Sequence, residues 1–100
     1  MATTLKALAR GSFGTSSSTL YTVPSGTTTI LTSIAVCNTN SSTETFTLLL
    51  DGSELFYNAS IQANQTVTID LKQVLSATKT MNGLASTTGL KYHLSGAEIL

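Results

Sequence analysis

Residues 19–38 read TLYTVPSGTTTILTSIAVCN, and their reading decides the fold. Residues with strand preference run to Val23, a turn follows at Pro24, Ser25 and Gly26, and a long Thr/Ile/Ala/Val run begins. Proline pre-sets φ for a turn and glycine supplies a positive φ at little cost, so this is the sequence form of two strands and a tight turn. The second run is apolar on both alternating faces: Ile30 and Leu31, then Ile34 to Cys37. A strand without a polar face is expected to be central and covered on both sides. In 100 residues that cover comes from two packed sheets, or from lending one face to another subunit. Either way the expectation is a small β-sandwich that builds something.

Working outward, strands recur at the spacing of a sandwich. Thr19 to Val23 and Thr27 to Asn38 are followed by a polar loop, NTNSST, over 38–43. Glu44 to Leu50 alternates, with Phe46, Leu48 and Leu50 on one face. Asp51-Gly52 is a strong two-residue hairpin signal, and Ser53 to Tyr57 completes the hairpin. Gln65 to Leu71 alternates again, with Val67, Ile69 and Leu71 inward. Lys72 to Ala77 reads as a short helical turn or a crossing loop. Thr78 to Ala85 and Leu90 to Ile99 are the last strands, and Gly96 suggests a bulge. The fold class is therefore all-β: a small antiparallel β-sandwich of about seven strands. A small closed barrel has a similar pattern.

The N-terminus is the ambiguous part. LKALAR contains good helix formers but is barely two turns long before Gly11, so an extended arm and an edge strand are both open. Residues 14–18, GTSSS, have linker composition. The expected organisation is a flexible N-terminal arm and linker over 1–18 and a sandwich domain over 19–100.

Composition narrows the function. Charged residues make up 10% of the chain and the formal net charge is zero, against roughly 25% charged in typical globular chains. Ser and Thr together are about a third of the residues. The field expected of a nucleic-acid binder is missing, and weak self-repulsion favours association. No segment approaches the ~18 consecutive apolar residues of a spanning helix. No hydrophobic signal core opens the chain, so secretion by that route is not expected, and the acceptor-type triplets at Asn40, Asn58 and Asn64 are expected to carry no sugar. Cys37, the single cysteine, is expected in the core as a small hydrophobe.

No catalytic or metal constellation appears. His93, the sole histidine, stands opposite in phase to Tyr92 and Leu94 and lacks a nucleophile elbow to serve. The acids are Glu44, Asp51, Glu54, Asp70 and Glu98; a Glu44/Glu54 pair across the hairpin does not by itself make a glycosidase. One His without a Cys pair does not build the usual zinc site, and the glycines form no phosphate loop. The expectation is a non-enzyme with no cofactor and no metal.

Two stretches together carry a resemblance. TLYTVPSGTTTILTSIAVCNTNSS, and the C-terminal GLASTTGLKYHLSGAEIL, resemble motifs of small tailed-bacteriophage virion proteins: a Tyr-Thr-Val-Pro-x-Gly turn before a Thr/Ile/Val strand, and a closing strand that ends in Ser-Gly-x-Glu-Ile. They cover somewhat under half of the chain and mark a turn and two strands. The resemblance implies a β-sandwich on the head, neck or tail of a particle, with a capsid decoration or cement protein as the first reading. A neck or tail component, or a fibre-like module that binds a host surface or carbohydrate, is the alternative. It implies other virion proteins as partners, the major capsid protein among them, and a homo-oligomer, with a trimer suggested by the family class. The location implied is the virion, with the host cytoplasm before assembly. Nucleic acid and membrane are not expected as direct partners. The expected interface residues are Leu5, Leu8 and Phe13 as apolar anchors of the arm, Arg10 within it, and the aromatic side chains of Tyr21 and Tyr57.

Overall fold

The structure, a computed structural model, describes residues 3–100. Eight strands follow one another: β1 (Thr3–Ser12), β2 (Ser18–Thr22), β3 (Thr28–Asn38), β4 (Glu44–Leu50), β5 (Ser53–Ile61), β6 (Thr66–Leu75), β7 (Thr80–Ala85) and β8 (Leu90–Ile99). They form two antiparallel four-stranded sheets in the orders β1-β8-β3-β6 and β2-β7-β4-β5. No helix occurs among the described residues. Only β4 and β5 are consecutive neighbours in one sheet; every other connection crosses between layers. This interleaving is the two-sheet jelly roll.

The turns behave as their residues require. Asp51 and Gly52 both have positive φ, 51° and 82°, the two left-handed positions that a two-residue hairpin needs. The Thr27 amide donates to the Pro24 carbonyl at 3.2 Å, and Gly26 has φ 74°. That second turn joins β2 to β3 across the sandwich and not within one sheet.

The core lies between the sheets. Phe13 and Phe46 stack with centroids 5.9 Å apart, and Phe13 meets Tyr92 at 5.2 Å. Leu31, Ile34 and Val36 of β3 face Leu48, Met81 and Ile61 in the same buried cluster. Each such side chain contributes about 1.5–3 kcal/mol by leaving water.

Several expectations need correction. The described residues form eight strands where about seven were expected, and the strand not counted is β1. Residues 3–12, expected as a flexible arm, instead pair with β8 from Thr3↔Ile99 to Ser12↔Lys91; Met1 and Ala2 of that segment lie outside the described residues. The helix-forming composition of LKALAR yields to ladder hydrogen bonds along an otherwise open β8 edge. Residues 72–75 are the end of β6, past a register shift opposite Leu31/Ser33, and no helical turn forms there. Gly96 is unbulged. The shifts occur in its neighbours, at Ala7/Ala9 in β1 and Leu31/Ser33 in β3, and a Cβ on Gly96 would strike the Ile30 carbonyl. Finally, β3 is central but covered on one side only. Ile30, Ala35 and Cys37 are half-buried on the outer face of their sheet, so Cys37 is not a core residue.

Candidate interaction surface

The six residues expected at an interface separate into two groups. Leu5, Arg10 and Tyr57 are exposed. Leu5, 81% accessible, and Arg10 project from the outer face of β1; their partners across the ladder are Ala97 and His93. Tyr57, 72% accessible, stands on the edge strand β5. The other three are held by the fold. Phe13 is a core residue, its ring between Phe46 and Tyr92 and its amide donating to the Leu90 carbonyl at 2.9 Å. Leu8, the extra residue in the β1 bulge, is half-buried against the core. Tyr21 is buried: its β2 position points into the sandwich, where a ring of that size is better packed than solvated.

Tyr21 organises a polar cluster that links both sheets. Its hydroxyl donates to Glu98 Oε2 at 2.5 Å. Because that carboxylate engages the phenol proton, the Thr29 hydroxyl is the donor in its 2.8 Å bond to the phenol oxygen. Lys6 Nζ lies 3.1 Å from Glu98 Oε1. The cluster thus draws on β1, β2, β3 and β8. Burial, reinforced by the bond to Glu98, pushes the Tyr21 phenol up to about 12. The Tyr21 bond, followed by Lys6, holds the Glu98 carboxyl below its usual range against the opposing effect of burial.

A second polar cluster closes the opposite end. Asn38 is fully buried at the end of β3. Its Nδ2 donates to the carbonyls of Ser42 at 2.8 Å and Ile61 at 3.1 Å, while its Oδ1 accepts from the Asn40 amide at 2.9 Å. Glu44 accepts from Ser86, Ser42 and Asn40, bonds that lower its pKa in that order. With its acceptors occupied by hydroxyls and an amide, this carboxylate fixes loops. Asn40 donates to Thr87 as well.

The outer face of the β2-β7-β4-β5 sheet carries a shallow cleft of about 280 Å³, lined by Thr15, Thr45, Thr47, Asn58, Leu84 and Ser86 among others. Asn58, at φ 49°, occupies the β5 bulge with Tyr57, and its amide donates to the buried Thr47 hydroxyl at 3.0 Å. No titratable side chain lines the cleft, so it offers neutral hydrogen bonds and no acid–base pair. Among the described residues no three metal-ligating side chains cluster.

The two outer faces are the broadest surfaces of a molecule measuring 46 × 22 × 18 Å, and their architecture can be compared with known folds. The chain superimposes on a capsid structure of Helicobacter pylori bacteriophage KHP30 with a TM-score of 0.59. The match covers 100% of this chain and 89% of that one, at 13% identity. The chain shares its fold with a chain of a bacteriophage capsid structure.

Two further similarities are lower. A structure of infectious bursal disease virus Gx strain gives a TM-score of 0.48 at 13% identity, over 97% of this chain and 30% of that one. A carbohydrate-binding module, CBM36, in complex with calcium and xylotriose gives 0.44 at 12% identity, over 97% and 98%. No protein-family model matches the chain, and no curated protein matches its sequence.

Nothing in the sequence taken alone pairs Tyr21 with Glu98, which are 77 residues apart. The available signal was phase. Glu98 falls on the same alternation as Leu94 and Tyr92, which places a carboxylate on an inward face and calls for a buried partner.

Proposed function

We propose that this chain is a non-enzymatic structural protein of a virion, and specifically a capsid decoration or cement protein that bridges neighbouring shell subunits. The observation that carries this reading is the end-to-end likeness to the phage KHP30 capsid structure, in which nearly the whole of each chain is matched. Two physical features support it as well. The surface is poor in charge and rich in hydroxyls, so contact with another protein desolvates few ions. Both sheets present broad outer faces, and the long edge strand β1 leaves its outer ladder groups unpaired, a natural site for a neighbouring chain. The partners in this reading are the major capsid protein and further copies of the chain.

The test is a reconstruction of the purified particle with quantitative mass spectrometry. A cement protein is expected in copy numbers set by the symmetry of the shell, with density at the junctions of capsomers. Absence of the chain from purified particles would refute the proposal.

A further inference from the structure

We infer that the outer face of the β1-β8-β3-β6 sheet is a self-complementary surface that pairs two copies of this chain about a two-fold axis. The ladder registers place Leu5, Ala97, Ile30 and Val74 side by side, since Leu5 pairs with Ala97, Ala97 with Ile30, and Ile30 with Val74. All four point outward. Their neighbours Lys6, Glu98 and Thr29 belong to the inward polar cluster, and successive side chains in a strand alternate between faces. None of the four belongs to the core cluster, though Ala97, flanked by Leu5 and Ile30, is itself only 6% accessible. One apolar row therefore crosses all four strands on the solvent side, and its ends are open: Leu5 is 81% and Val74 64% accessible. Ile99 extends the apolar area on the same side of β8.

The occupant is identified by what this row and its surroundings complement. An axis lying in the face, parallel to the strands, carries β1 of one copy over β6 of the other and keeps each cross-strand row against itself. Leu5 then meets Val74 of the second copy, and Ala97 meets Ile30, a small residue against a large one. Charge follows the same operation. Arg10 projects outward in the row of His93, Ala35 and Thr68. Asp70 lies in the adjacent row, opposite Ser33, about 7 Å along the strand. In the pair, Arg10 of each copy sits above Thr68 of the other and reaches its Asp70, twice by symmetry. Lys72, the cation in the β6 bulge, falls farther along, toward Ala7 of the second copy. Two sheets stacked in this way lie ~10 Å apart with strands within ~30° of alignment.

The face measures roughly 19 by 33 Å, about 600 Å² per copy. This is near the low end of specific interfaces, which bury ~1,200–2,000 Å² in total, so the dimer should be concentration-dependent. The pairing is a property of the isolated chain. A monomer in solution would overturn it and leave the particle reading intact, and absence of the chain from particles would do the reverse.

The experiment is sedimentation equilibrium of the full chain from about 5 to 500 μM, which resolves dissociation constants from the micromolar to the sub-millimolar range. The expected result is a monomer–dimer equilibrium. Leu5→Asp or Val74→Asp removes the dimer, with the far-ultraviolet circular dichroism of the monomer unchanged because both positions are exposed. Arg10→Asp weakens it by about tenfold or more, and Arg10→Asp combined with Asp70→Arg restores it to within about threefold of the parent. A monomer at every concentration, a trimer or larger species, a dimer indifferent to Leu5→Asp and Val74→Asp, or a charge exchange that fails to restore association would each overturn the inference.

Discussion

The Tyr21 hydroxyl, carried by β2 in one sheet, donates to the Glu98 carboxylate, carried by β8 in the other, at 2.5 Å. The bond fastens the two layers near the free edge of β1, and Lys6 of β1 is tied to the same carboxylate. A charge-assisted bond of this kind contributes about 1.5–3 kcal/mol. Tyr21→Phe, which keeps the ring and removes the hydroxyl, is expected to lower the unfolding free energy by that amount in urea titration.

The same pair sets the pH limits of stability. Glu98 has a lowered pKa in the folded state, so its contribution is present above the ordinary carboxylate pKa and is lost as pH falls through the folded value. Tyr21 has a raised one, about 12; its contribution is complete below the unfolded value near 10 and is lost as pH rises toward 12. Urea midpoints measured across pH should fall at both extremes. Glu98→Gln should flatten the acid limb, and Tyr21→Phe should flatten the alkaline limb.

Phe13 and Leu5 lie close in sequence and differ fully in consequence. Phe13→Ala empties a core position and should cost about 3–5 kcal/mol, whereas Leu5→Ala should change monomer stability by less than about 0.5 kcal/mol. Thermal unfolding of dilute protein distinguishes them. Deleting residues 1–12 should destabilise the chain and promote aggregation, because it bares the β8 edge. A detachable arm would leave stability unchanged.

Asn38→Ala should be among the costliest polar substitutions. It removes donors from the Ser42 and Ile61 carbonyls at a fully buried position, and a buried group left unpaired costs about 1–3 kcal/mol. A loss of about 3 kcal/mol in chemical unfolding is expected, with Asn38→Asp no substitute because it cannot donate.

Much of the sandwich was legible where local chemistry and tertiary structure agree. Asp51-Gly52 and Pro24-Ser25-Gly26 announced their turns, and Phe46/Leu48/Leu50 and Val67/Ile69/Leu71 announced their inner faces. Reading failed where the two levels conflict. The LKALAR segment has helical propensity, and only the open edge of β8 makes it a strand. Lys72 breaks the alternation of β6 because a bulge takes up the extra residue, so the end of that strand looked like a loop. Gly96 suggested a bulge in β8, but the irregularities lie in its neighbours β1 and β3, and β8 keeps its alternation through Ala97 and Ile99. Of the expected contact residues, Leu5, Arg10 and Tyr57 are on the surface. Phe13 and Tyr21 are taken by the core because aromatic rings serve either place and only the register decides which.

The most direct measurement of the central claim, adhesion between shell subunits, compares particles with and without this chain under heat and low-salt stress, scored by release of genome. The account predicts that particles lacking the chain release their genome at a lower temperature and that adding back the purified protein restores the complete particle's threshold. Equal robustness of the two particles, with the chain demonstrably bound to the complete one, would contradict it.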